Sequence, residues 1–270
     1  MKELTASIVL YNNPEEVKEL VELFQGVELN KFLYLIDNSE KTNKDHFVSF
    51  ENVDYQFTGK NLGYGKGHNL AIEKARNLSK YHIILNPDIS FEKGEIEKIY
   101  RFMEENSQYG HVMPRIIYPD GELQKLCKLL PTPMDMIRRR FGRRLTSGIE
   151  SNYELPEFKY NKVMEIPNLS GCFMFFRTSV LVELGGFDPR FFMYFEDVDL
   201  TRRSFNKSKS IFYPEATIIH KFRKESYKSK KMLYIHSKSA IQYFNKWGWF
   251  FDKERKRINN LVLEQIKTKG

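Results

Sequence analysis

Three carboxylates, Glu196, Asp197 and Asp199, follow directly on four aromatic rings, Phe191, Phe192, Tyr194 and Phe195, in the stretch RFFMYFEDVDL (190–200). A carboxylate beside apolar walls loses hydration, which disfavours its ionised form and lifts its pKa toward the range where a general base works. The same acids suit the first turn of a helix, where the backbone dipole favours negative charge. That accounts for the acids, not for the rings ahead of them. LNPD (85–88) closes an apolar run with Asp88. A carboxylate at a strand end can hold Mg2+ or Mn2+ together with substrate phosphates, or close an Asx-Pro turn. His220 ends YPEATIIH (213–220) and is of interest as a ligand only if the fold sets it beside Asp88. The remaining histidines show no metal-ligand spacing such as HExxH. NLGYGKGHN (61–69) alternates Gly63, Gly65 and Gly67, which fits neither the dinucleotide fingerprint nor a Walker loop. It still lets backbone approach a ligand just before a helix N-terminus that favours anions, or it is a flexible turn.

Strands and helices must bring these groups together. TASIVLYN (5–12), KFLYLIDNS (31–39), VDYQFTG (53–59), YHIILNPDIS (81–90) and GHVMPRIIY (110–118) read as strands. PEEVKELVELF (14–24), KGHNLAIEKARNL (66–78) and GEIEKIYRFMEEN (94–106) read as helices between them. The alternation predicts an α/β fold with a largely parallel sheet. Tyr11 and Asn12, Asp37, and Asp88 stand at strand ends, where open α/β sheets bind ligands. Three segments are therefore expected to converge on one site. Residues 119–165 read as an irregular excursion with one helix. Residues 170–187 read as a strand, then a helix starting near Thr178 or Ser179 and closed by Gly185 and Gly186. Residues 209–220 form a returning strand, and 227–270 are largely helical.

Two cysteines make no disulfide framework, and no run approaches the roughly 18 apolar residues of a membrane span. MKELTASIVLYN lacks the parts of a signal peptide, so a cytoplasmic location is expected. The net charge of +8 is concentrated: residues 221–270 carry 14 Lys and Arg against 4 Asp and Glu. A smaller knot lies at RRRFGRR (138–144). Such patches suit an anionic partner or a solvated face. In the tail, Leu233, Ala240, Phe244 and Trp247 share a helical stripe that ends in Trp249, Phe250 and Phe251. That pattern fits either a membrane interface or packing on the body. A nucleic-acid-binding protein would use the same basic and aromatic residues but leaves the strand-end acids unexplained. A nucleotide-sugar pyrophosphorylase would want a Gly-rich, basic loop after the first strand, where YNNPEEV stands.

GGFDPRFFMYFEDVDLTRR (185–203), taken with NLGYGKGHN, LNPD, IDNS (36–39) and YPEATIIH, resembles the inverting glycosyltransferases of family two, most closely their rhamnosyltransferase-like branch. The resemblance implies the GT-A fold, with a Rossmann-like, mostly parallel central sheet flanked by helices. Residues 1–220 would be the catalytic domain, with 1–118 the nucleotide-binding half and 119–220 the acceptor-binding half. Residues 221–270 would be a basic, amphipathic helical extension. By the same resemblance, Tyr11 and Asn12 lie around the nucleoside and Asp37 reads the uracil or thymine edge. Asn61, Gly63 and Asn69 lie beside nucleotide and sugar. Asp88 is the last acid of an Asp-x-Asp metal motif whose first acid is here Asn86, and His220 is a further metal ligand. Asp197 is the catalytic base, with Glu196 beside it. Arg203 matches a basic position after the motif, equally explained by a salt bridge to Asp199. The implied cofactor is Mg2+ or Mn2+. The implied donor is a dTDP- or UDP-sugar, foremost dTDP-rhamnose, and the acceptor a saccharide or lipid-linked saccharide in bacterial surface polysaccharide synthesis. Association with the inner face of the cell membrane through 221–270 is expected, and nucleic acid is not.

Overall fold

The computed structural model describes residues 1–141, 152–221 and 229–269. Strand β1 (Lys2–Leu10) is buried on both faces from Leu4 onward, as an apolar run in the middle of a parallel sheet must be. Pro14 opens α1 (Pro14–Gln25), which sets Val17, Leu20, Val21 and Phe24 inward at helical spacing. Strands β2 (Lys31–Asp37) and β3 (Val53–Phe57), helix α2 (Tyr64–Ala75) and strand β4 (Ser79–Leu85) follow. Strand β5 (Ile89–Phe91), helix α3 (Glu95–Glu105) and strand β6 (His111–Ile117) complete the first half. The single strand expected over 81–90 is two, because Asn86, Pro87 and Asp88 turn the chain between β4 and β5. Pro87 has no N–H to give a ladder, which favours a break there.

Beyond residue 118 come α4 (Pro133–Phe141), β7 (Met164–Glu165), β8 (Phe173–Arg177) and α5 (Thr178–Glu183). Then follow α6 (Glu196–Ser208), β9 (Ser210–His220), α7 (Lys230–Trp247) and α8 (Lys253–Lys269). The basic knot at 138–144 runs on past Phe141 and lies partly outside the described residues.

One nine-stranded sheet has the order β3-β2-β1-β4-β8-β6-β9-β5, with β7 on β9. The first four strands are mutually parallel, so Leu10, Asp37, Phe57 and Leu85 end at one edge. Strand β8 runs antiparallel to both β4 and β6, β6 runs parallel to β9, and β5 runs antiparallel to β9. The parallel character thus belongs to the first half, and the second is mixed. Because β6 lies between β8 and β9, both halves share one sheet, and one apolar cluster runs from Leu4 to Ile266.

The tail is built into this body. Tyr243 and Phe244 of α7 pack on Phe191 and Phe195, with Ala240 and Trp247 alongside. Buried Arg202 of α6 makes a bidentate pair with buried Asp252 at 2.7 and 2.9 Å, reaches Glu254 at 2.9 Å, and lies over the Trp247 ring at 4.0 Å. The apolar stripe of α7 therefore faces protein. No described helix is long and apolar enough to cross a membrane.

Candidate active site

Helix α6 starts at Glu196, straight after Tyr194 and Phe195, whose φ angles of 68° and 64° put two consecutive non-glycine residues in the left-handed region. Each such residue costs on the order of 1–3 kcal/mol and persists where surroundings impose it, as at ligand sites. The strained turn delivers Asp197 half-buried, with Oδ2 accepting the Gly171 N–H and Oδ1 the Val198 N–H, both at 2.9 Å. Burial raises its carboxyl above the usual range, against those N–H groups and the charge of Lys128. Glu196 is buried, and its Oε2 has no hydrogen-bond partner. Burial, and then the charge of Asp197, push it well above the ordinary glutamate value.

Backbone hydrogen bonds carry the other segments to this turn. Asn86 N–H donates to Cys172 O at 2.9 Å, next to Gly171. Tyr64 donates its hydroxyl to Gly171 O at 2.6 Å and its N–H to Phe192 O at 2.9 Å. Half-buried Tyr64 is raised by desolvation and then by Glu196, Cys172, Asp197 and Asp88. Cys172 is pushed up to about 12 by burial, with Asp88 and Asp197 adding to it. Tyr64 and Cys172 thus feel both acids, and the Asp197–Gly171 and Cys172–Asn86 hydrogen bonds bring the two acid-bearing segments side by side.

The fold also sets His220 beside Asp88. Residues Ile89 and His220 are partners in the β5–β9 ladder, and Lys221 N–H donates to Asp88 O at 3.0 Å. His220 Nε2 lies 3.3 Å from Asp88 Oδ1, a buried oxygen that makes no hydrogen bond. Burial raises the Asp88 carboxyl, but His220 and Asn86 alongside outweigh it and hold it below the usual value. Among the described residues no group of three or more His, Cys, Asp or Glu gathers as a metal site. An octahedral ion with bonds of about 2.1 Å keeps adjacent ligands about 3 Å apart, so the Asp88–His220 spacing fits two of its ligands. The unpartnered Oδ1 is the oxygen such an ion would take.

Other expected site residues are differently employed. Asp37 is fully buried: Oδ1 accepts Ser39 N–H, while Oδ2 accepts Asn43 N–H and Nδ2 and the Tyr55 hydroxyl. Three of those donors crowd Oδ2, so Asp37 shapes its own loop, while Oδ1 accepts a single hydrogen bond. Asn69 spends its amide on Phe187, giving Nδ2 to its O and accepting its N–H at Oδ1, both at 2.8 Å. It clamps α2 to the segment ahead of the acids. Gly65 and Gly67 lie inside α2, where a Cβ would meet Phe187 at 2.8 Å and Val9 at 2.7 Å; they serve packing, not phosphate approach. Only Gly63 is the ligand-side turn residue expected, with φ 87° and no room for a Cβ against Phe192 O. Asn61 Oδ1 accepts its N–H at 2.9 Å. Tyr11 and Asn12 stand exposed at the strand edge, with Asn12 N–H on Ser39 Oγ. Of the four rings, Phe191, Tyr194 and Phe195 pack toward the tail, and Phe192 and Tyr194 are half-buried. Arg203 bonds Asp199, Leu184 O and Gly186 O, which is the salt-bridge role. Tyr64, Gly171 and Gln124 were not expected at the site. The signal for Gly171 was an isolated glycine heading a strand: its Cβ would stand 2.9 Å from that of Asp197.

Residues 5–185 match glycosyl transferase family 2. The low-salt glycan biosynthesis hexosyltransferase Agl10 of Haloferax volcanii is 26% identical over 206 residues, 76% of this chain and 62% of that one. The N-acetylglucosaminyl-diphospho-decaprenol L-rhamnosyltransferase of Mycobacterium tuberculosis is 26% identical over 77% of this chain and 72% of its own length. Rhamnosyltransferase WbbL of Escherichia coli K12 is 24% identical over 94% of this chain and 97% of its own. Among solved structures, GalNAc-T7 with UDP, GalNAc and Mn2+ superposes with a TM-score of 0.61 at 14% identity, covering 89% of this chain and 48% of that one. TarS of S. aureus superposes at 0.62 and 13% identity, covering 97% and 43%. The chain thus spans under two thirds of the Haloferax protein and under half of either solved chain. The shared fold is GT-A.

Proposed function

The chain belongs to glycosyl transferase family 2, and on that premise we propose that it moves a sugar from a nucleotide donor to a saccharide or lipid-linked saccharide hydroxyl with inversion. The observation that carries this reading is the backbone link between the two acids: Asp197 Oδ2 accepts the Gly171 N–H, and Cys172 O, the next residue along, accepts the N–H of Asn86, two residues before Asp88. Asp197 takes the proton from the attacking hydroxyl; its raised pKa suits a base, and two N–H groups hold its orientation. Glu196 is buried beside that base, with its Oε2 unpartnered. Half-exposed Phe192 offers a ring face to an acceptor sugar. Asp88 and His220 would hold a divalent ion, which when bound supplies positive charge to the departing diphosphate. Tyr11, Asn12, Asn61 and Gly63 line the nucleotide side, against the 37–43 loop shaped by Asp37, which Asn12 and Gly63 meet through Ser39 and Asn38.

The relatives named as rhamnosyltransferases favour L-rhamnose from dTDP-rhamnose. The lipid-linked acceptor in one relative's name supports a membrane-borne acceptor here. The turn between α7 and α8 fits that role: Phe250 is 76% and Phe251 98% exposed. They edge a groove of about 610 Å3 that Met134, Lys253 and Lys256 also line. Apolar rings beside lysines suit an anionic bilayer on the cytoplasmic face. The test is a panel of dTDP- and UDP-sugars with and without Mg2+ or Mn2+, scored by nucleoside diphosphate release. Turnover only with dTDP-rhamnose supports the donor assignment; turnover with another donor replaces it, and none with any donor refutes the transferase reading.

A further inference from the structure

Buried Gln124 can adopt one arrangement only. Its Nε2 donates to His220 O at 2.7 Å and to Ile117 O at 3.3 Å, which uses both amide hydrogens. A flipped amide would set its oxygen against two carbonyl oxygens, so Oε1 is the atom 3.0 Å from His220 Nδ1. Its backbone is held too, through Gln124 N–H to Ile116 O at 2.9 Å. An amide oxygen only accepts, so the ring hydrogen belongs on Nδ1. The neutral ring then carries its lone pair on Nε2, the atom 3.3 Å from Asp88 Oδ1.

We infer that Gln124 is a positioning residue that fixes the His220 tautomer, so that Nε2 and Asp88 Oδ1 present two lone pairs to one cation. The inference rests on the reading of Asp88 and His220 as ion ligands. Its physical content is a choice among three arrangements. With a hydrogen on both nitrogens, the imidazolium pairs with Asp88, and a cation must displace the Nε2 proton. With the hydrogen on Nε2, the ring would donate to Asp88 and the two ligands would satisfy each other. With the hydrogen on Nδ1, two acceptors face one another, and a cation relieves their repulsion. Ligating histidines commonly give their other N–H to such a partner.

The test uses the full chain with 15N-labelled histidine, metal-free, at a pH well above the ordinary histidine pKa of about 6.5. His220 ring resonances are assigned by their loss in His220→Asn. The expected result is a protonated Nδ1 and a bare Nε2. Gln124→Leu, shown folded by its melting curve, should move the hydrogen toward Nε2. In calorimetry with UDP present it should bind Mn2+ about 10–100-fold more weakly than wild type. Gln124→Glu, which keeps an acceptor toward Nδ1, should bind closer to wild type. A hydrogen on Nε2 in the wild type, or equal Mn2+ affinity in folded Gln124→Leu, overturns the inference. A wild type that takes up no Mn2+ while Nδ1 carries the hydrogen would refute the ion-binding reading and leave the tautomer assignment standing.

Discussion

Glu196 and Asp197 are adjacent in sequence and differently used. Both carboxyls are raised by burial, but only Asp197 is half-exposed and oriented by two N–H groups. Replacing Glu196 by Gln puts a neutral amide where an oxygen has no partner. The expected outcome is a melting temperature at or above wild type and a turnover loss well under the roughly 10²-fold or more that losing a general base costs. Melting curves and nucleoside diphosphate release check it. The pH profile follows from Asp197, which works ionised. Because its carboxyl is raised from 3.8, kcat/KM should fall as pH drops through a value above 3.8; an acid limb centred there or lower contradicts the assignment. The sequence displayed this pair, since acids behind rings are unusual locally. It did not display the loop-shaping role of Asp37, whose donors come from Ser39, Asn43 and Tyr55, positions that only the folded loop brings together.

The tail helices show what periodicity reveals about an element and what it leaves open. The apolar stripe of α7 was legible at helical spacing, as was the helix start at Glu196. What the stripe faces was not, because lipid and protein reward the same pattern. The decisive contact is Arg202–Asp252, between residues about fifty positions apart and both nearly unexposed. Breaking a buried pair from one side leaves an uncompensated charge, at a cost of about 3–5 kcal/mol. Asp252→Ala should therefore lower stability by that order in denaturant titration, while Lys253→Ala, on the exposed side of α8, should not. Removing residues 230–270 would strip Phe191, Phe195 and Arg202 of their partners, so it is no clean probe of membrane binding. The split of the 81–90 segment into β4 and β5 is a similar case: the apolar run was visible, and the pairing of Ile89 with His220 was not.

Across the whole molecule, the catalytic body and tail form one packed unit, and three exposed rings, Trp249, Phe250 and Phe251, stand together at the α7–α8 turn. Exchanging Phe250 and Phe251 together for Ser should weaken binding to anionic vesicles by at least about tenfold, since each ring buried in lipid is worth roughly 1.5–3 kcal/mol. The melting temperature should not change, because Phe251 is 98% exposed. Unaltered co-sedimentation would remove the turn from the membrane account. The mixed second half of the sheet carries the two acids to a common region, and that convergence is the claim on which the rest depends. Its most direct test is Asp197→Asn under saturating donor and acceptor. The account predicts unchanged nucleotide affinity with nucleoside diphosphate release lowered by about 10²–10⁴-fold. Wild-type turnover in that variant would contradict it.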